Sequence, residues 1–244
     1  MVPPGRWVFG MSFRKETLAE GVEVYCGDML QILPTLPVFD AIVTDPPYGI
    51  GVCGNEGGVT SLKSGAKDYG KQEWDNLPIG PEHITAMISS SANQIIWGGN
   101  YFANNLAPSQ CWLVWDKLNG AGFSLADVEL AWTSFDRAAR LFKVSRTATF
   151  SEGKAHPTQK PIALMSWCLT HIPAARTVLD PFMGSGTTGV ACVMAGRSFV
   201  GIEREPSYFD TACRRIEASL KQPDMFIEPP KPAKQETLQL DGAA

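Results

Sequence analysis

The tetrapeptide Asp45-Pro46-Pro47-Tyr48 follows directly on the apolar run at residues 39–44, and a second acidic loop, Asp180-Pro181-Phe182-Met183-Gly184-Ser185-Gly186, follows residues 177–179. In the first, a carboxylate, two rigid prolines and an aromatic ring stand at the end of a buried strand, where they can grip a flat polar ring. In the second, glycines at a strand-to-helix turn let a charged ligand approach the backbone. The pair, in that order, suggests group transfer to a nucleobase.

These loops need strands behind them. The run at residues 39–44 is almost continuously apolar, as in a parallel strand covered on both faces. Further strands are expected at 22–26, 94–97, 111–115, 128–133, 177–179 and 198–202. Helices are expected at 29–33, 82–92, 161–170, 187–195 and 207–220, the fourth opening on the glycine loop. Strands alternating with helices give an α/β fold with a mostly parallel sheet. Pro3, Pro4 and Gly5 mark residues 1–20 as a poorly ordered lead-in, within which Met11 offers an alternative start to Met1. Residues 21–221 form a single domain, and the proline-rich polar stretch 222–244 reads as a disordered tail. Residues 49–75, with seven glycines and three lysines, form a long loop of the kind that is functional or mobile.

Composition narrows the class. A chain of 244 residues, 44% apolar, can bury a sizeable core. It contains no apolar stretch of the roughly 20 residues that span a bilayer, so no membrane partner is expected and the location is cytoplasmic. Six dispersed cysteines without a Cys-x-x-Cys pair signal neither zinc nor a disulfide framework, and no metal is expected. The net charge of −4 hides a local excess. Residues 137–160 hold Arg137, Arg140, Lys143, Arg146, Lys154 and Lys160 against Glu152 alone, a charge of +5 within a remainder of −9. A basic run is usually a solvated face, but this one lies between the two acidic loops.

The ligand of the second loop can be narrowed by charge. A nucleoside-triphosphate loop needs Lys-Ser or Lys-Thr after its last glycine, whereas this chain has Thr187-Thr188. A dinucleotide would bring its pyrophosphate against Asp180. A ligand bearing an ammonium would welcome that carboxylate, and S-adenosylmethionine has an ammonium, a sulfonium and a ribose but no phosphate. Glu203, ending the next strand, is placed to bind ribose hydroxyls.

The stretches 180–189 (Asp-Pro-Phe-Met-Gly-Ser-Gly-Thr-Thr-Gly), 200–203 (Val-Gly-Ile-Glu), 45–48 (Asp-Pro-Pro-Tyr) and 156–161 (His-Pro-Thr-Gln-Lys-Pro) together resemble the motif set of amino-group DNA methyltransferases, over roughly residues 22–220. Their order resembles the permuted β class of that family. The resemblance implies a circularly permuted Rossmann-like methyltransferase fold, with a mostly parallel seven-stranded sheet and helices on both faces. It implies that Asp180, Phe182, Gly184, Ser185, Gly186 and Thr187 wrap S-adenosyl-L-methionine and that Glu203 takes the ribose. Asp28 is implied near the adenine ring, Thr158 and Lys160 beside the methionine carboxylate, and Asp45 at the border of cofactor and substrate. Asp28 also reads as a simple helix cap.

The same resemblance assigns the chemistry. Asp45, Pro46, Pro47 and Tyr48 are implied as catalytic residues acting on an exocyclic amine, with the target base flipped out of DNA. Asp at the first position resembles adenine-N6 enzymes and Ser the cytosine-N4 enzymes, so N6-adenine is expected and N4-cytosine is the alternative. No separate recognition domain fits between residue 133 and His156. The short insert 136–155 is therefore expected to contact DNA through Arg137, Arg140, Lys143, Arg146 and Lys154, together with the loop 49–75. So small a recognition element suits a short target, low selectivity or a homodimer. A solitary enzyme and the modification partner of a restriction endonuclease fit equally. Methylation of RNA or of a protein amide, a catalytically silent DNA-binding subunit, and a nicotinamide dehydrogenase complete the field.

Overall fold

The computed structural model describes residues 13–49, 79–119, 126–145 and 159–221. Nine strands form one sheet: β1 Arg14–Ala19, β2 Val22–Cys26, β3 Phe39–Thr44, β4 Ser91–Trp97, β5 Trp112–Asp116, β6 Val128–Thr133, β7 Arg140–Lys143, β8 Thr177–Asp180 and β9 Ser198–Glu203. Their order across the sheet is β1-β2-β9-β8-β3-β4-β6-β5-β7. From β2 to β4 all neighbours are parallel, β6 runs antiparallel to β4 and β5, and β5 and β7 are parallel.

The expected seven strands form the middle of this sheet, and an extra strand extends each edge. β1 lies inside the stretch expected as a loose lead-in, but it pairs antiparallel with β2 through a two-residue turn at Gly21, where φ is +73°. Its polar sequence (Arg-Lys-Glu-Thr-Leu-Ala) suits a half-exposed edge strand and hides the period-2 pattern. β7 falls inside the basic insert, where its four mostly exposed residues carry little apolar signal.

Side-chain alternation sorts the core into two layers. Ala41 and Val43 of β3 and Ile95 and Trp97 of β4 face α3 (Ile162–Thr170), α4 (Thr187–Met194) and α5 (Pro206–Leu220). Ile42 and Ile96 face the other way, towards α1 (Met29–Ile32) and α2 (Pro81–Ser89). Helices thus cover both faces, which explains why β3 is buried at Phe39 and from Ala41 to Thr44, interrupted only by the exposed Asp40. β3 leads through α2 to β4 on one side, while its neighbour β8 leads through α4 to β9 on the other. The sheet therefore reverses its winding between β3 and β8, and a crevice opens outside the carboxyl ends of strands at such a point. Both acidic loops leave the sheet there.

Candidate active site

Thr44 ends β3 and Asp180 ends β8, and the buried Thr44 hydroxyl donates to Asp180 Oδ1 at 2.7 Å. The two loops are thereby tied at their roots. Asp45, next in the chain, points its carboxylate into a cluster of donors. Tyr48 Oη donates to Oδ1 at 2.5 Å and Lys160 Nζ donates to Oδ2 at 2.5 Å. Burial is the largest influence on Asp45 and raises its pKa; Lys160 opposes the rise and the nearby Glu129 charge adds to it.

Tyr48 owes its place to a glycine. A Cβ on Gly98, just past β4, would come within 2.0 Å of Tyr48 Cε1, and the residue sits at φ +71°, where only glycine is unstrained. The Tyr48 ring stacks on Tyr101 at 4.9 Å between centroids with 16° between planes, and meets Phe102 edge-on at 6.2 Å. Tyr101 is 47% exposed, so a large aromatic surface lies beside the Asp45 carboxylate.

The second loop is built differently. Asp180, 3% exposed, accepts from the Thr44 hydroxyl and from the Phe182 amide at 3.1 Å. Burial pushes its pKa up to about 6. Glu203, at the end of β9, accepts from the amides of Gly184 (2.9 Å) and Glu205 (2.8 Å), and burial pushes its pKa up to about 7. Each Glu203 oxygen, accepting one amide, keeps a further lone pair for a ligand, whereas the Phe182 amide and the Thr44 hydroxyl both fall on Asp180 Oδ1 and leave Oδ2 to meet one. Gly184 has φ +51° and nothing within 4 Å of where a Cβ would stand, so its side of the loop is open. Two recessed carboxylates beside an open glycine turn suit a ligand that carries positive charge and hydroxyls.

Most of the expected cofactor residues gather at this edge. Asp28 follows β2, whose Cys26 pairs with Glu203, and it caps α1 by accepting from the Leu30 amide at 2.7 Å. The capping role holds, and the residue stands at the same strand edge as Glu203. Phe182 is half-buried, 6.3 Å from the His83 ring. Ser185 and Thr187 behave otherwise: both are buried, and Arg215 of α5 donates to the Ser185 carbonyl (2.6 Å) and hydroxyl (2.9 Å) and to the Thr187 hydroxyl (3.2 Å). They brace the loop against the helix. Gly186 allows that packing, since a Cβ there would meet Ala212 Cβ at 2.9 Å.

Lys160 departs from its expected place beside a methionine carboxylate. Its side chain is 7% exposed, and its ammonium is already shared by two protein carboxylates, Asp45 and Glu129. Buried next to acids, it makes the pairing closest to hand. Thr158, Arg146 and Lys154, like most of the loop 49–75, lie outside the described residues.

The basic insert divides. β6 runs away from the edge that carries the two acidic loops, so Arg137, just beyond its end, lies roughly 20 Å along the sheet from Glu129 at its start. There Arg137 donates to the His171 carbonyl at 2.7 Å and stacks over Phe135. These contacts hold it against the end of the fold away from the two acidic loops. Arg140 opens β7 at that same end, exposed. Lys143 ends β7 level with Asp116, 61% exposed on the side of the two acidic loops.

Sequence reasoning passed over Gly98, Tyr101, Lys117 and Glu129. The Gly98-Gly99 pair after a strand was a usable signal, whereas a lone Lys or Glu beside a strand carries none.

The family model described as DNA methylase, of the N6/N4 methyltransferase kind, matches residues 89–214, just over half of the chain and including the Asp180 loop. The chain belongs to this family. Among curated relatives it is similar to the type II methyltransferase M.HinfI of Haemophilus influenzae, 41% identical over 85 residues, which are 32% of this chain and 24% of that protein. It is also similar to M2.MboI of Moraxella bovis, 46% identical over 66 residues, 27% of this chain and again 24% of the relative. The matched stretches thus span about a quarter of each relative's length. Among solved structures, the M1.HpyAVI–SAM complex superposes with a TM-score of 0.53 at 24% identity, covering 79% of this chain and 98% of that one. The cytosine-N4-specific PvuII DNA methyltransferase gives 0.51 at 15%, covering 79% and 85%. At such identities the likeness is one of fold. Among the described residues of this DNA methylase family member, no helix is long and apolar enough to cross a membrane.

Proposed function

We propose that the protein transfers a methyl group from S-adenosyl-L-methionine to the exocyclic N6 amine of an adenine flipped out of DNA. The observation that carries this reading is the junction of the two acidic loops, where the Thr44 hydroxyl joins the Asp45 loop to Asp180 at 2.7 Å. A cation-seeking pocket and a ring-gripping pocket then share one wall.

An exocyclic amine is a weak nucleophile because its lone pair is delocalised into the ring. The Asp45 carboxylate and the Pro46 carbonyl would accept hydrogen bonds from its two N–H groups, favouring a tetrahedral nitrogen with its lone pair aimed at the neighbouring pocket. Pro46 and Pro47 hold the backbone extended, and Tyr48 offers a face for the ring. When bound, S-adenosylmethionine supplies an electrophilic methyl group on a sulfonium: the amine lone pair forms the N–C bond as the C–S bond breaks, leaving a neutral thioether. The methylated nitrogen then carries a positive charge, and its proton passes to water. Asp180 would hold the ammonium and Glu203 the ribose hydroxyls, with Asp28 and Phe182 bordering the adenine side.

Asp at the head of the tetrapeptide supports adenine over cytosine through its resemblance to adenine-N6 enzymes. DNA as the substrate sets the place of action at the nucleoid. A homodimer and a nuclease counterpart suit a chain whose described residues hold no separate recognition domain. The deciding experiment is nucleoside mass spectrometry after incubation with isotope-labelled S-adenosylmethionine and, separately, DNA and RNA. Labelled N6-methyladenine in DNA is the expected product. N4-methylcytosine would move the acceptor, and label confined to RNA or to neither polymer would overturn the reading.

A further inference from the structure

The Asp45 carboxylate is the end of a chain of four charges. Lys117, just after β5, pairs with Glu129 Oε1 at 2.8 Å; Glu129 Oε2 lies 3.0 Å from Lys160 Nζ; and Lys160 Nζ lies 2.5 Å from Asp45 Oδ2. The signs alternate, the sum is zero, and both lysines are only 7% exposed. Lys160 is further enclosed by the rings of Tyr48 (5.7 Å) and Trp97 (5.8 Å). Such a chain is poorly explained by stability, because buried ion pairs can commonly be replaced by apolar residues at no loss. It ends, however, on the carboxylate that the reaction uses.

We propose that Lys160 and Glu129 are positioning residues for methyl transfer, Lys160 keeping Asp45 ionised and aimed at the amine while Glu129, anchored by Lys117, fixes the ammonium and tempers its pull. This rests on the reading of Asp45 as the hydrogen-bond acceptor of the amine. A recessed carboxylate tends to take up a proton and would then present a donor where the amine needs an acceptor. The ammonium at Oδ2 opposes that, and it also pins the carboxylate so that Oδ1 stays with Tyr48. Glu129 pushes the opposite way by competing for the same cation. The lysines hold Glu129 itself ionised: burial raises its pKa, but Lys160 and Lys117 outweigh burial and bring it down to about 2. The other ionisable groups bordering this chain are Tyr48 in the same loop, Tyr101 stacked on it, Asp180 on β8, and Cys168 on α3 beneath Lys160.

The two charges must therefore move Asp45 in opposite directions. The test is the pH dependence of kcat at saturating cofactor and DNA, beside a 13C NMR titration of the Asp45 carboxyl in cofactor-free protein, assigned by difference from Asp45→Asn. Glu129→Gln should shift both the acid limb and the NMR titration to lower pH, and Lys160→Gln should shift both to higher pH, each by on the order of one unit. Lys160→Arg, which keeps the charge, should restore the titration towards that of the unsubstituted protein while kcat stays depressed. Should Lys160→Gln fail to fold with two carboxylates left facing each other, the double variant Glu129→Gln/Lys160→Gln removes one charge of each sign, and its Asp45 should titrate above that of Glu129→Gln alone. Unmoved titrations, or shifts of the same sign in both single variants, overturn the proposal. If the unsubstituted protein transfers no methyl group, the functional reading fails instead, and the NMR titration still decides the charge chain.

Discussion

Asp45 and Asp180 end or follow neighbouring parallel strands, and the Thr44 hydroxyl reaches from one loop to the other. Asp45 is paired with a buried lysine at 2.5 Å, whereas Asp180 is held by the hydroxyls of Thr44 and Thr188 and by an amide. The difference predicts what each pocket takes. A carboxylate with its own cation is electrically satisfied and suits a neutral polar ring. Burial raises the pKa of both, but only at Asp45 does a lysine oppose the rise; at Asp180, caged by neutral donors, a cationic ligand supplies the missing charge. Neighbouring sites can thus prefer unlike ligands, although each is an aspartate at a strand end.

The largest effect that separates the two is expected from Asp45→Asn. Removing the acceptor that localises the amine lone pair should lower the single-turnover rate of methyl transfer by on the order of 10²–10³-fold. Calorimetric binding of S-adenosylmethionine should persist, because the charge lost is not the one the ammonium meets. Equal damage to both measurements would erase the distinction between the loops.

The complementary change, Asp180→Asn, should act on binding first. Loss of a charge-assisted hydrogen bond of roughly 1.5–3 kcal/mol weakens S-adenosylmethionine by about 10- to 100-fold. An analogue that lacks the amino acid portion, such as 5′-methylthioadenosine, should bind the variant and the original protein alike. A comparable loss for both ligands would show that Asp180 supports the loop instead of meeting the ammonium.

A smaller effect follows from the pKa values of about 6 for Asp180 and about 7 for Glu203, both raised above the ordinary carboxylate range by burial. A cationic ligand prefers the ionised forms, so cofactor affinity should strengthen as pH rises from 5 to 8 and level off above. Stability of the cofactor-free protein should run the other way. Between the unfolded carboxylate values near 4 and these raised ones, the native state holds more protons than the unfolded chain, so stability falls as pH rises through that window. Thermal melts with and without cofactor should therefore differ more at pH 8 than at pH 5. A gap that does not vary with pH would mean that neither carboxylate titrates in response to the ligand.

What the sequence disclosed of these two regions follows the same division. The Asp180 loop is local: strand, turn, glycines and helix lie within about twenty residues, so its parts could be read together, and Glu203 one strand later hydrogen-bonds the Gly184 amide. The Asp45 pocket is assembled from distant segments. Gly98, Tyr101, Lys117, Glu129 and Lys160 come from three separate strand ends and a helix start, and chain distance of up to 115 residues separates Lys160 from its partner. Periodicity finds buried strands such as β3, but it finds neither polar edge strands such as β1 nor the partner of a lone charged residue. Charge counting found the basic insert, but strand direction, invisible to a count, sends Arg137 and Lys143 to opposite ends of the sheet.

That last separation yields the finest test of which half meets DNA. Lys143 stands exposed on the catalytic side of the half that holds Asp45, while Arg137 is spent on the His171 carbonyl at the far end. If DNA approaches the lysine-bearing half, Lys143→Gln removes one phosphate contact and should reduce the slope of log K against log salt by about 0.9 for duplex DNA. Arg137→Gln should leave that slope untouched and instead lower thermal stability, by roughly 1 kcal/mol for the lost hydrogen bond. Filter binding across a salt series measures both slopes. A reduced slope for Arg137→Gln with none for Lys143→Gln would place the DNA at the opposite end of the sheet, away from Asp45, and would separate the binding surface from the carboxylate that the base must reach.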